Sequence, residues 1–215
     1  LGFTKLLRKE DNVSLRNEYV STIESSGQHL LALVNAVLDL SKIEAGHLEV
    51  NRVICSPHAV ISEVLSMMRS QAVEKGLSLE CRWMSKVPEF IKTDPDRFRQ
   101  VLMNLIGNAL KFTEQGKVEL VATVAPDSSE PRMLIEVRDT GSGISEEQLE
   151  RIFRPFDQGD NSVTRRFGGT GLGLAISQRI VHALGGEITV DSEVGRGSVF
   201  RITLETGPLD DVRIL

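Results

Sequence analysis

The stretch Asn104-Leu-Ile-Gly-Asn108-Ala-Leu-Lys111-Phe-Thr ends a segment, residues 96–112, whose apolar spacing predicts a helix. Asn104, Asn108 and Lys111 are four and three residues apart, so they share one face of that helix. Amides on an otherwise apolar helix need a polar partner. A cation with phosphate groups is such a partner, because an Asn oxygen is a ligand for magnesium and a Lys ammonium reaches phosphate oxygens. The alternative is a solvated polar face.

Three glycine-bearing turns accompany this helix. Asp139-Thr-Gly141-Ser-Gly143-Ile144 follows a predicted strand, where glycines let the backbone approach a flat ligand and the carboxylate can accept from an exocyclic amine such as that of adenine. Gly168-Gly169-Thr170-Gly171-Leu172-Gly173 runs into a predicted helix, whose free N–H groups suit an anion. The alternative for the first turn is a plain tight turn, and Gly195-Arg-Gly197 alone is only a hairpin turn.

The flanking segments predict an α+β sandwich with helices on one face of a mixed sheet. Residues 14–45 read as one long helix whose apolar residues recur at alternating steps of four and three, which is typical of a helix packed along a partner helix. Further helices are predicted from Ser56 to Lys75, at 146–153 and at 171–184. Strands are predicted at 48–54, 77–84, 89–93, 117–125, 132–138, 187–191 and 198–204.

The composition excludes several functional classes. Of the 215 residues, 40% are hydrophobic and 26% charged, and the net charge of −5 comes without the basic stripe of a nucleic-acid binder. Cys55 and Cys81 lie in apolar stretches and fit reduced thiols, which indicates a cytoplasmic location. No apolar run reaches the ~20 residues needed to span a bilayer. The chain begins without Met, so an anchor elsewhere in a longer protein stays open.

Taken together, the four clusters resemble the N, G1, G2 and G3 boxes of the histidine kinase catalytic domain, and Ile152-Phe153-Arg-Pro155-Phe156 resembles its F box. The resemblance implies a Bergerat-type ATP-binding fold over residues 47–206, which that family shares with DNA gyrase and the MutL mismatch-repair ATPases. Residues 1–46 resemble the second helix of the family's dimerisation and phosphotransfer hairpin, with a truncated first helix. Residues 207–215 resemble a linker and the start of a receiver domain, and the alternative is a frayed terminus.

The resemblance also implies a role for each matching residue. Asn108 would hold magnesium, Asn104 and Lys111 would lie at the phosphates, and Asp139 would bind the adenine amino group. Residues 154–170 would form a lid from which Arg165 or Arg166 reaches the γ-phosphate. The remaining nucleotide contacts would come from Gly141, Gly143, Ile144, Phe156, Gly169, Thr170, Gly171, Leu172 and Gly173.

The chain departs from the family at the phosphoacceptor. The family's motif places an acidic residue directly after the acceptor histidine, and none of His29, His47, His58 and His182 has one. Residues 1–7 resemble the family's segment on the C-terminal side of that motif, so the acceptor is expected before Leu1. We therefore expect the chain to bind ATP with magnesium without phosphorylating itself.

The resemblance implies transfer of the γ-phosphate of ATP to a histidine of the kinase's own dimerisation domain, in two-component signalling. It also implies three partners: the missing acceptor helix, a receiver domain or response regulator, and a second copy in the full-length protein. One alternative is an ATP hydrolase of the gyrase type, which uses a glutamate where this chain has Asn104. The other is a nucleotide-binding scaffold without kinase activity.

Overall fold

The structure is a computed structural model, and it describes residues 12–85, 87–124, 131–157, 170–209 and 212–213. The chain divides into two compact units, Leu1–His47 and Leu48–Leu215. The predicted domain limits at 46, 47 and 206 stay a prediction.

The described residues of the first unit, 12–47, form one long helix, α1, which spans Val13–Glu44. The side chain of Asn12 caps its start by accepting from the backbone N–H of Ser14 at 2.9 Å. Gly46 lies just past its end with φ +72°, a conformation that favours glycine. Several apolar side chains of α1 are exposed in the single chain: Leu30, Leu31, Val34, Val37 and Leu38.

In the second unit, the described residues form strands and helices in the order expected of an α+β fold. Its strands are β1 (Val53–Cys55), β2 (Ser78–Trp83), β3 (Ile91–Thr93), β4 (Lys117–Val124), β5 (Arg132–Asp139), β6 (Glu187–Glu193) and β7 (Gly197–Glu205). Its helices are α2 (Pro57–Glu74), α3 (Pro95–Phe112), α4 (Glu146–Leu149) and α5 (Gly173–Ala183).

The main sheet is mixed and has five strands in the order β2-β4-β5-β7-β6. β2 runs parallel to β4, and the other neighbours are antiparallel. β1 and β3 form a separate antiparallel pair. This arrangement agrees with the predicted fold class.

Helix α3 connects the layers, because it packs against α2, α5 and strand β5. Its apolar residues, including Phe98, Leu102, Leu105, Ile106 and Leu110, are at most 1% exposed. Alternate residues of β5 and β7 complete this core, whereas β4 is buried on both faces from Val118 to Ala122. The burial of one side of α3 leaves its other side for the site.

Several predicted boundaries differ from the structure. Of the predicted strand 48–54, only residues 53 and 54 lie in a strand, which spans Val53–Cys55, because its partner β3 is three residues long. The predicted helix 146–153 is helical only over Glu146–Leu149 and continues as turns. The last helix, predicted to begin at residue 171, begins instead at Gly173, because Gly171 has φ +67°, which is incompatible with a right-handed helix at that residue. Among the described residues, no helix combines the length and apolar character needed to cross a membrane.

Candidate functional site

A cavity of about 370 Å³ lies along the outward side of α3, within the range of small-molecule sites. Asn104, Asn108 and Lys111 line it together, as their spacing predicts. The other lining residues are Gln71, Lys75, Met103 and Gly107.

In the described part of the chain, two cations and no carboxylate line this cavity, so its chemistry suits an anion. Burial, and then the nearby charge of Lys75, lower the pKa of Lys111. Lys75 donates to the carbonyls of Leu110 and Lys111 at 2.7 and 3.0 Å, which places its ammonium at the C-terminal end of α3. An anionic group bound beside them, such as a phosphate, would relieve the repulsion between these two ammonium groups.

The donor set also fits a magnesium ion that arrives with phosphates. The Asn108 amide offers the cavity a hard oxygen ligand, and magnesium usually keeps waters and substrate phosphates as its remaining ligands. Because the described lining contains no carboxylate, the ion would depend on the nucleotide for most of its binding.

Asn104 is fixed by the first turns of α5. Its Nδ2 donates to the buried hydroxyl of Ser177 at 2.9 Å, across two helices. A Cβ at Gly173 would lie 2.3 Å from the Asn104 Oδ1, so only glycine leaves that oxygen in place. The polar face of α3 and the glycine-rich start of α5 are therefore in direct contact.

The turn before α5 is held by two local contacts. The Thr170 hydroxyl accepts from the backbone N–H of Leu172 at 3.1 Å. Phe156 donates its N–H to the Gly171 carbonyl at 3.0 Å, and Phe156 is 62% exposed with φ +64°. A phenylalanine in this backbone region is uncommon, and such strain is frequent at functional sites. Residues 156 and 170–173 therefore form one neighbourhood.

Asp139 continues a buried column of β5. Met133, Ile135 and Val137 are buried on the core-facing side and alternate with less buried residues, and Asp139 comes next on that side. Its Oδ1 accepts from the Gly141 N–H at 2.8 Å. Burial raises the pKa of Asp139, while hydrogen bonds from Gly141 and Ser198 act to lower it. The carboxylate is thus a partly desolvated acceptor.

The loop after Asp139 lies between α3 and the β6–β7 hairpin. Ser142 donates its N–H to the Phe112 carbonyl at 3.2 Å, at the end of α3. Gly143 has φ +68°, and a Cβ there would lie 2.1 Å from the Glu193 carbonyl oxygen. Ile144 donates its N–H to the Ser192 hydroxyl at 2.8 Å. Helix α3 therefore contacts two of the three predicted glycine clusters, this loop at Phe112 and the start of α5 at Asn104.

The structure brings together most of the predicted site residues. Arg165, Arg166, Gly168 and Gly169, and most of the predicted lid 154–170, lie outside the described residues. Sequence reasoning missed Lys75, Ser177, Ser192 and Ser198, which contact the predicted residues from other elements. The signal that could have found Ser192 and Ser198 is the predicted turn at Gly195-Arg-Gly197, because the two serines flank that turn and are register partners in the hairpin.

Two protein-family models match the chain. The model described as histidine kinase-, DNA gyrase B-, and HSP90-like ATPase matches residues 93–208. The model described as the His kinase A (phospho-acceptor) domain matches residues 1–46.

Curated relatives have similar sequences. The chain is 40% identical over 211 residues to the signal transduction histidine-protein kinase BarA of Escherichia coli K12, covering 97% of this chain and 23% of the relative. It is 41% identical over 206 residues to the sensor protein GacS of Pseudomonas syringae pv. syringae, covering 95% and 23%. The chain thus spans about a quarter of the length of these relatives.

A solved structure resembles the whole chain. The crystal structure of full-length ShkA in complex with AMPPNP aligns with a TM-score of 0.76 at 34% identity, over 96% of this chain and 42% of that one.

Proposed function

This chain belongs to the family of histidine kinase-, DNA gyrase B- and HSP90-like ATPases, within its sensor histidine kinases, and from that premise we propose that it binds Mg-ATP and donates the γ-phosphate to a histidine of the parent kinase's dimerisation domain. The observation that carries the proposal is the contact of α3 with two of the glycine clusters, the loop after Asp139 and the start of α5 at Gly173. On this proposal Lys111 would bind the phosphates and Asp139 the adenine amine, and the bond from the Ser142 N–H to the Phe112 carbonyl joins the two segments that carry them. The bound AMPPNP named for ShkA supports the same ligand class.

On this proposal the residues of the chain act by position and charge, since phosphoryl transfer needs little covalent assistance. Lys111 and Lys75 hold the phosphate oxygens, and Asn104 is kept in one orientation by Ser177. Asp139 accepts from the adenine amine. Asn108 would hold the magnesium ion, which supplies charge neutralisation at the phosphates when bound. Arg166 would reach the γ-phosphate.

The alternative of a gyrase-type hydrolase is disfavoured by Asn104. Hydrolysis needs a base to activate water, and an amide whose Nδ2 donates to Ser177 cannot serve as one. No carboxylate lines the cavity among the described residues. An assay of phosphate transfer distinguishes a kinase from a scaffold that binds nucleotide without transferring its phosphate.

The proposed partners derive from the same premise. The acceptor histidine would come from the first hairpin helix, and the exposed apolar residues of α1 would pack in a dimer bundle of the full-length protein. The phosphate would pass to a receiver domain or response regulator. The thiols of Cys55 and Cys81 are free and half-buried, which fits the proposed cytoplasmic location.

Nucleotide binding is tested by calorimetric titration with a non-hydrolysable ATP analogue and magnesium. Asp139→Asn should weaken binding about tenfold or more, because the amide presents a donor to the adenine amine and a charged hydrogen bond contributes ~1.5–3 kcal/mol. Asp191→Asn, at an exposed position of β6, is the matched control. Equal affinities of the wild type and Asp139→Asn would remove Asp139 from the site.

Transfer is tested with γ-labelled ATP. The chain alone should take up no acid-labile label, and addition of a chain carrying the complete hairpin should produce label on that added chain. Asn108→Ala, which removes the proposed magnesium ligand, should abolish the transfer. Label on the present chain alone would contradict the expected absence of an acceptor.

A further inference from the structure

Asp139, Ser198 and Ser192 lie in one row across three neighbouring strands. Asp139 in β5 is the register partner of Ser198 in β7, and Ser198 is the register partner of Ser192 in β6. Directly opposed residues of antiparallel strands point to the same face of a sheet. The row lies on the core-facing side, since Ser198 is in phase with the buried Phe200, Ile202 and Leu204.

Ser192 connects this row to the loop after Asp139. Its hydroxyl accepts from the Ile144 N–H at 2.8 Å and lies 2.8 Å from the Gly197 carbonyl and 3.0 Å from the Ser198 hydroxyl. A serine hydroxyl has one proton, so Ser192 donates to either Gly197 or Ser198 at one time.

The neighbouring bonds favour donation to Ser198. Ser198 lies directly opposite Asp139 in the strand register, and hydrogen bonding from its backbone amide and its hydroxyl acts to lower the pKa of the Asp139 carboxyl. An ionised carboxylate can only accept, so the Ser198 proton is directed at Asp139, and the Ser198 oxygen remains as an acceptor for Ser192. The resulting chain runs from the Ile144 amide through Ser192 and Ser198 to Asp139, with every donor pointing the same way.

We propose that Ser192 is a positioning residue for adenine recognition, which orients the Asp139 carboxylate as an acceptor through Ser198 and ties it to the loop at Ile144. The proposal rests on the proposed function. Consecutive donors polarise one another, so each bond in the chain strengthens the next. These hydrogen bonds also counteract the effect of burial, which raises the pKa of Asp139. This matters because a protonated carboxyl would present a donor, instead of an acceptor, to the adenine amine.

A purely structural role for Ser192 makes a different prediction. If its hydroxyl only fastens the turn by bonding Gly197, its loss loosens the loop for every nucleotide alike. If it acts through Asp139, its loss matters only to a base that carries the 6-amino group. The ligand therefore separates the two roles.

The experiment compares two nucleotides on Ser192 variants of the full chain. Kd values are measured by calorimetry for a non-hydrolysable ATP analogue and for its counterpart with purine, which lacks the 6-amino group. Ser192→Ala should weaken the adenine compound about three- to tenfold, the range of one hydrogen bond, and change the purine compound less than about twofold. In the Asp139→Asn background, Ser192→Ala should cause no further loss.

Matched variants keep the test decisive. Ser192→Thr retains the hydroxyl and should restore binding, whereas Ser192→Val has nearly the same shape without it. This pair decides the question if Ser192→Ala does not fold. Ser78→Ala, on the opposite edge strand β2, controls for general effects of losing a serine hydroxyl.

Equal losses for both nucleotides, or no loss for either, would overturn the proposal. Failure of the wild-type chain to bind either compound would instead overturn the proposed function, and this proposal with it. The wild-type titration by itself therefore distinguishes a failure of the proposed function from a failure of the Ser192 proposal.

Discussion

The ammonium of Lys75 lies against the end of the helix that carries Lys111, donating to the Lys111 carbonyl at 3.0 Å. The two residues are 36 positions apart in the sequence, yet both line the same cavity. Lys75 thus stabilises the C-terminal carbonyls of α3 and adds a second positive charge beside the proposed phosphate position.

Lys75→Met should weaken ATP-analogue binding roughly three- to tenfold at about pH 7, because one of two cations is lost. The pH dependence should change as well. Burial and the charge of Lys75 lower the pKa of Lys111, so the affinity due to its charged form is full at neutral pH and is lost as the pH rises through that lowered pKa. Removing Lys75 should move this loss to higher pH.

ATP-analogue affinity is measured at a series of pH values between about 7 and the ordinary lysine pKa of ~10.4, which gives the midpoint, the pH at which half of the Lys111-dependent affinity is lost. Lys75→Arg keeps the charge and should leave the midpoint near that of the wild type, while Lys92→Met, on β3, is the control for a lost lysine elsewhere. An unchanged midpoint in Lys75→Met would show that the two ammonium groups are not coupled.

Gly173→Ala should damage the site more than the fold. The new Cβ would lie 2.3 Å from Oδ1 of Asn104, which is the end of a side chain that can turn away at the cost of its bond to Ser177. We expect a loss in unfolding free energy of about 1–2 kcal/mol and a fall in ATP-analogue affinity of roughly fivefold or more. Thermal melts and calorimetry measure the two quantities.

The clash can be verified by a double-mutant cycle. In an Asn104→Ala background the obstructing amide is absent, so Gly173→Ala should cost less than about 0.5 kcal/mol of stability. Additive losses would mean that the two residues do not interact.

Substitution by alanine should destabilise the protein much more at Gly143 than at Gly195, although both glycines have a positive φ. At Gly195, with φ +80°, nothing lies within 4 Å of a new Cβ, so alanine should cost only the ~1–2 kcal/mol of an unfavourable backbone conformation. At Gly143 the Cβ would also meet the Glu193 carbonyl oxygen at 2.1 Å, and backbone cannot move aside as a side chain can. Gly143→Ala should therefore cost clearly more stability and lose ATP-analogue binding. Similar melting temperatures for both variants would contradict this account.

Glu119 should make stability depend on acid pH. Its side chain is only 4% exposed, on the sheet face opposite the helices, and it pairs with Arg82 at 2.7 Å and Lys117 at 3.3 Å. The hydrogen bond from Arg82 is the first cause that lowers the pKa of Glu119. A carboxyl whose folded-state pKa is lowered stabilises the fold above its unfolded pKa of ~4.3, and this contribution is lost as the pH falls through the folded value.

Glu119→Gln should therefore lower the unfolding free energy by about 1–2 kcal/mol at neutral pH. The difference from the wild type should shrink steadily below about pH 4.3, as the wild-type carboxyl takes up its proton. Glu193→Gln is the control, because its pair with Arg196 is 63% and 76% exposed and should contribute less than about 1 kcal/mol. Chemical denaturation from neutral pH down to about two units below that pKa provides the measurement. A constant difference over that range would refute the assignment to Glu119.

The sequence alone determined the features that depend on local spacing. The four- and three-residue steps placed Asn104, Asn108 and Lys111 on one side of a helix, and all three line one cavity. Ser56 with Pro57 marked the start of α2 in the same way, because the cap bonds a backbone N–H three residues ahead. The order and spacing of the glycine clusters indicated the family that the sequence comparisons show.

Only the tertiary structure decided which residues support the site. Lys75, Ser177 and Ser192 contact partners 35, 73 and 48 residues away, and no local pattern encodes such distances. The alternating pattern of residues 48–54 likewise could not reveal that only Val53–Cys55 would form a strand, because a strand needs a partner of matching length. Periodicity specifies the face on which a side chain lies, whereas packing and strand register specify what lies opposite it.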